Sequence, residues 1–75
     1  MRIFPKLKHL SKDDLLELAR RECEKEGWPW LEPVLIQDRM FRWIILTNGL
    51  VAGRNVQIGV SKKTGEITSK RFFHR

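Results

Sequence analysis

Two histidines, one cysteine and nine carboxylates are the groups from which this 75-residue sequence could build acid–base, nucleophilic or metal chemistry. His9 and His74 stand near opposite ends, with no cysteine or acidic residue at ligand spacing. A zinc site needs about four ligands, and no cluster supplies them. Cys23 is alone, which excludes an intramolecular disulfide. It falls toward the C-terminal end of a helical apolar pattern, away from the cation or helix N-terminus that would activate a thiol, so a buried inert cysteine is expected. Glu22 and Glu26, four apart, predict a solvated helix edge rather than a working acid–base pair. Gly49 and Gly53 lack the Gly-Lys-Ser/Thr sequence that opens a phosphate-binding helix. The expectation is a protein that is not an enzyme, with no metal and no cofactor.

Binding chemistry is better supplied. Lys and Arg total 15 against 9 Asp and Glu, a net charge of +6. The excess is uneven. Residues 11–32 are net acidic, whereas Arg2, Lys6 and Lys8 make the first ten residues basic and the segment from Pro33 onward is strongly basic. In that last segment Arg39, Arg42, Arg54, Lys62, Lys63, Lys70, Arg71 and Arg75 are interleaved with Phe41, Trp43, Phe72 and Phe73. A basic sheet with stacking aromatics can hold single-stranded nucleic acid. Arg39, Arg54, Lys70 and Arg71 are the cations to carry that role. A second chemistry rests on Arg42, Ile44 and Leu46, which alternate along one strand and predict an apolar stripe on an uncovered sheet face, with Lys62 and Lys63 as electrostatic contacts. That pattern suits a protein or peptide partner, a second copy of the chain included, and is the preferred expectation over nucleic acid. Phe41 and Trp43, on the strand's other face, are then expected in the core.

The elements that must position these groups are legible. In Leu10-Ser-Lys-Asp-Asp-Leu15, Ser11 can cap a helix and Asp14 can reach back to it, while Leu10 and Leu15 have the spacing of a hydrophobic staple. Leu15, Leu18, Ala19 and Cys23 repeat as one buried helical face, and Gly27 followed by Pro29 ends it. Four β-rich stretches follow: 34–37, 41–47, 55–60 and 66–73. Turns are expected at Asp38-Arg39, at Asn48-Gly49 through Gly53, and at Lys62–Gly65. Val56, Ile58 and Val60 should face the helix. The stretch Glu26-Gly-Trp-Pro-Trp-Leu-Glu-Pro33 joins helix to sheet, and its two tryptophans read as a core-closing corner in preference to an aromatic ligand platform.

These elements predict an α+β two-layer fold, one N-terminal helix packed on a three- to four-stranded antiparallel meander. Residues 1–10 form an N-terminal arm, with Ile3, Phe4 and Leu7 able to dock, and 11–75 a single domain. At this length the core is small, with little room for an enclosed substrate cavity. The helix ending in glycine, the tryptophan-bearing corner, the meander and the run Val60-Ser-Lys-Lys-Thr-Gly-Glu-Ile67 resemble the PepSY-like, cystatin-like half-unit. Ser61 stands where that family's hairpin usually has an acidic residue. The resemblance implies an αβββ module that binds or inhibits peptides or partner proteins rather than performing chemistry. The longest apolar run, Trp43–Leu46, is far short of the ~20 residues that span a bilayer, and the first residues lack a signal-peptide pattern. No membrane association and a cytoplasmic location are expected.

Overall fold

The computed structural model describes residues 10–73. The arm foreseen over residues 1–10 lies outside them except for Leu10, as do His74 and Arg75. Helix α1 (Lys12–Glu26) is followed by β1 (Leu35–Asp38), β2 (Arg42–Leu46), β3 (Asn55–Ser61) and β4 (Ile67–Phe73). The strands form one antiparallel sheet in the order β1-β2-β3-β4, the four-stranded form of the expected meander.

The ends of α1 are fixed by local chemistry. The Asp14 backbone N–H donates to Ser11 Oγ (3.1 Å), and the Ser11 N–H donates to Asp14 Oδ2 (3.0 Å), a complete capping box. Asp13 and Asp14 also lie at the positive end of the helix dipole. Gly27 takes the left-handed conformation (φ 76°), which lets the Trp28 N–H reach the Cys23 carbonyl and close the last turn. Between these ends Leu15, Ala19 and Cys23 are buried against Ile45, Val56, Ile58 and Val60 of the sheet. Burial, and secondarily Glu22 beside it, push the Cys23 thiol above its ordinary pKa, so the thiol is kept protonated and unreactive.

The tryptophan corner closes the core at two separate places. Trp28 stacks on Phe72 of β4, with ring centroids 5.8 Å apart and planes 27° from parallel. Trp30 instead lines a shallow depression with Leu16, Pro33 and Val34, on the β1 side. Both indoles are half-buried against the core cluster. They are therefore divided between the two edges of the sheet and form no shared platform.

Register decides which side of the sheet each residue occupies. Ile36, Ile45, Ile58 and Lys70 form one cross-strand row under the helix, and Asp38, Trp43, Val60 and Ile67 form the next. Ile67 and Lys70 are three residues apart, yet both lie on the helix side. A bulge at Gly59/Val60 absorbs the odd residue. Lys70 consequently reaches α1, where its ammonium pairs with both Glu22 (2.5 Å) and Glu26. Glu22 and Glu26 are thus not a plain solvated edge, as their spacing had suggested. They fasten the last turns of the helix to the edge strand.

This clamp has a pH signature. Its hydrogen bond with Lys70 holds the Glu22 carboxyl below its ordinary value of 4.5, against the opposing effect of burial. A lowered folded-state pKa means stability that is present above the unfolded value and lost as pH falls through the folded one. The Lys70 ammonium, raised by its bonds to Glu22 and Glu26, loses its contribution only as pH rises above its own ordinary 10.5. Thermal melts between about pH 3 and pH 7 should show the wild type losing stability in the acid range more steeply than Lys70→Met, which has no charge to pair. Parallel profiles would show that the clamp contributes nothing.

Candidate interaction surface

The helix covers one side of the sheet, and the residues at alternate strand positions point the other way. Leu35, Leu46, Gln57 and Arg71 form one outward row in cross-strand register, and Gln37, Ile44, Gly59 and Ser69 form the next. Arg42 continues β2 beyond Ile44. Gln37, Arg39, Arg42, Ile44, Leu46 and Gln57 line a shallow concavity of about 230 Å³ on this face.

Ile44 lies on the outward side, as its alternation predicted, but it is not part of an exposed stripe: only 5% of it is accessible. Gly59 beside it explains this. A Cβ at Gly59 would lie 2.6 Å from Ser69 Oγ and 3.6 Å from Ile44 Cδ1, so the space a side chain would fill is already occupied by its neighbours. Ile44 is the floor of the concavity, and half-buried Leu46 is its apolar wall. The accessible chemistry is that of the arginines. Arg39 donates from Nε and Nη2 to Gln37 Oε1 (3.3 and 3.2 Å), which holds its guanidinium at the concavity while other N–H donors stay available. Arg39, Arg42 and Arg71 form no ion pair with any described residue. No carboxylate occupies an outward position of any strand.

Other residues singled out by the sequence are placed elsewhere. Lys70 faces the helix and is bound to carboxylates. Lys62 pairs with Asp38 and lies over the Trp43 ring, 5.5 Å from its centroid, on the helix side rather than over the concavity. Lys63 is exposed on the β3–β4 turn. Arg54 is exposed just before β3, at a left-handed φ of 57°. Among the aromatics, Trp43 and Phe72 pack toward the core. Phe73 is outward, with the Arg71 guanidinium 5.2 Å from its ring centroid. Phe41, a core residue by its alternation with Trp43, is instead 78% exposed. The β1–β2 hairpin closes through the Arg39 N–H to the Arg42 carbonyl, which places Met40 and Phe41 at its tip, outside β2.

Sequence patterns did not reveal the organisation of the loop between β2 and β3. The Asn55 side chain is buried and acts as its hub. Asn55 Nδ2 lies 2.9, 2.8 and 3.2 Å from the carbonyl oxygens of Thr47, Asn48 and Val51, and Oδ1 accepts from the Gly53 N–H (2.7 Å). Buried Thr47 Oγ1 accepts from the Val56 N–H (2.8 Å). The loop thereby holds Leu50 and Val51 out, at 81% and 57% exposure. Exposed large apolar residues thus sit at both ends of the outward face, Met40 and Phe41 at one and Leu50 and Val51 at the other. Leu35 and Phe73, also exposed, lie on the face itself.

Among the described residues no group of three or more His, Cys, Asp or Glu could hold a metal ion, and no helix is long and apolar enough to cross a membrane. Comparison with known protein families, curated proteins and solved structures finds no match.

Proposed function

We propose that this chain is a small non-enzymatic, cytoplasmic interaction module that binds a protein or peptide partner on the sheet face opposite the helix. One observation carries this most directly. The exposed large apolar side chains of the described residues lie on the outward positions of the sheet or at the two loops that bound it, and none lies on α1. Apolar residues gathered in this way, with polar neighbours, mark contact surfaces more often than solvated ones. Arg42 and Leu46 are the central contacts, and Ile44 supports them from below. The order of elements and the Val60–Ile67 hairpin support kinship with PepSY-like and cystatin-like units, although the sheet has one strand more than their αβββ plan.

Nucleic acid is less well served by the same face. Trp43, Phe72 and Lys70 are committed to the helix side, leaving Arg71 with Phe73 on the edge strand and Phe41 with Arg39 and Arg42 at the hairpin tip, two separated sites rather than a continuous stacking platform. A photo-crosslinking amino acid at Gln57, in the concavity, separates the alternatives in native cells. The expected result is a discrete polypeptide adduct that resists nuclease, is lost on adding Arg42→Glu, and is not formed by the same group at Arg20 on α1. A nuclease-sensitive adduct, or equal adducts from both positions, would overturn the proposal.

A further inference from the structure

Resting on that proposal, we infer that the partner element is an acidic amphipathic helix of about three turns, laid over β2 as a second helical layer. Three features of the face lead to this. The first is backbone accounting. A segment lying on a sheet face meets side chains, because the strands' N–H and C=O groups point along the sheet to each other. It must therefore satisfy its own backbone polar groups, which a helix does and an extended peptide does not. The helix side of this sheet is covered in that way by α1, over the same central strands.

The second feature is the shape of the apolar surface. Ile44 and Leu46 form an apolar strip along β2, flanked by Gln37 and exposed Leu35 on β1 and by Gly59 and Gln57 on β3. The strip is bounded at one end by Met40 and Phe41 and at the other by Leu50 and Val51. Five residues of β2 span ~13 Å at about 3.3 Å per step. Contact with the tips at both ends extends this to roughly 16–18 Å, the length of about 11–12 helical residues. Apolar side chains at i, i+3 or i+4, i+7 and i+11 of one helix face would meet the strip and both ends.

Charge then selects among possible occupants. Arg39 and Arg42 at the hairpin end and Arg71 on β4 face outward without a carboxylate partner among the described residues. A second copy of this +6 chain, turned face to face, would oppose these arginines with its own. The chain's own first residues, with Arg2, Lys6 and Lys8, carry the same sign. An element with Asp or Glu on both borders of its apolar stripe meets the guanidinium groups in charge-assisted hydrogen bonds.

The test is selection from a displayed library of random 16-residue peptides on the full chain, with counter-selection on an Arg39→Glu/Arg42→Glu double variant whose fold is checked by circular dichroism. Enriched peptides should be acidic, with apolar residues at helical spacing. Each should gain helical ellipticity on binding and lose about tenfold or more in affinity for Arg42→Glu alone, since each 1.4 kcal/mol of lost interaction is tenfold. Enriched peptides that depend on Arg42 and Leu46 but alternate apolar and polar residues, or lack acids, would overturn the helical inference and leave the interface standing. If no enriched peptide responds to Arg42→Glu or Leu46→Lys, the interface proposal itself fails. Selection of basic peptides would overturn both.

Discussion

Ile44→Lys is expected to leave no folded domain at room temperature, whereas Leu46→Lys, two residues further along the same face, should remain folded and lose only the partner. The contrast follows from depth rather than from side. Both residues point away from the helix, but Ile44 is 5% accessible and walled by Gln37, Gly59, Arg42 and Leu46, while Leu46 is half-buried at the rim. A lysine at 44 would have to leave its ammonium in the floor or thread it out past Arg39 and Arg42, two like charges with no carboxylate partner. The first route carries the desolvation cost of a buried charge, and the second adds repulsion to lost packing. Either costs on the order of 3 kcal/mol or more. A 75-residue domain has only about 3–5 kcal/mol to lose. At 46 the lysine stem can cover the apolar wall while its head stays in water, at about 1 kcal/mol or less. That corresponds to a fall of no more than about 4–8 °C in melting temperature. Ile44→Met, which keeps the volume, should cost less than ~1.5 kcal/mol and retain binding. Urea titrations followed by circular dichroism compare the three. A folded Ile44→Lys would move Ile44 from the floor to the contact surface.

How far such distinctions were legible in the sequence differs from residue to residue. The helix announced both its ends, because Ser11, Asp14 and Gly27 act on backbone groups a few residues away. Local chemistry of that kind survives any tertiary arrangement. Alternation correctly put Arg42, Ile44 and Leu46 on one side of β2, but it carries no information on depth. The burial of Ile44 comes from Gly59 and Ser69, which are set beside it by pairing across three strands. Phe41 reads as part of β2 because it continues the alternation, while the real end of the strand is set by the Arg39–Arg42 hairpin bond. Lys70 reads from the sequence as part of the basic surface because nothing local signals a bulge. The one-residue shift at Gly59/Val60 allows Ile67 and Lys70 to share the helix side, and it converts a candidate contact into a structural clamp. The position of the outward charge was therefore readable only in part: Arg39, Arg42 and Arg71 remain, and Lys62 and Lys70 are neutralised elsewhere.

The polar hub escaped sequence reading for a related reason, since its partners are backbone carbonyls that any residue supplies. Asn55→Ala is expected to destabilise the domain by about 1–3 kcal/mol, less than the domain's whole stability, so that it stays folded. The amide has two hydrogens and three carbonyl oxygens within reach, so one N–H is shared, and its own oxygen takes the Gly53 N–H. Alanine removes the side-chain partner of the Thr47 and Val51 carbonyls and of the Gly53 N–H, while the Asn48 carbonyl keeps the Val51 N–H. It also releases a loop whose Asn48, Gly53 and Arg54 all have positive φ (52°, 110° and 57°), a conformation that a non-glycine residue adopts at a cost. Asn55→Asp separates hydrogen-bond polarity from volume. The side chain is nearly isosteric, but its ionised form offers only acceptors to three carbonyls. At neutral pH its cost should equal or exceed that of alanine. The carbonyls around it disfavour the charged form and raise its folded-state pKa, so protonation on acidification restores one donor and narrows the gap to wild type as pH falls. Melting curves of the two variants from about pH 7 down to about pH 4 would check this. A gap for Asn55→Asp that is independent of pH would mean that the loop is held by shape alone. Leu50 and Val51, which the hub positions at the end of the outward face, should become mobile in both variants at neutral pH. Peptides that bind the face should then lose affinity in step with the order of that loop, although no residue of the contact surface itself has been changed.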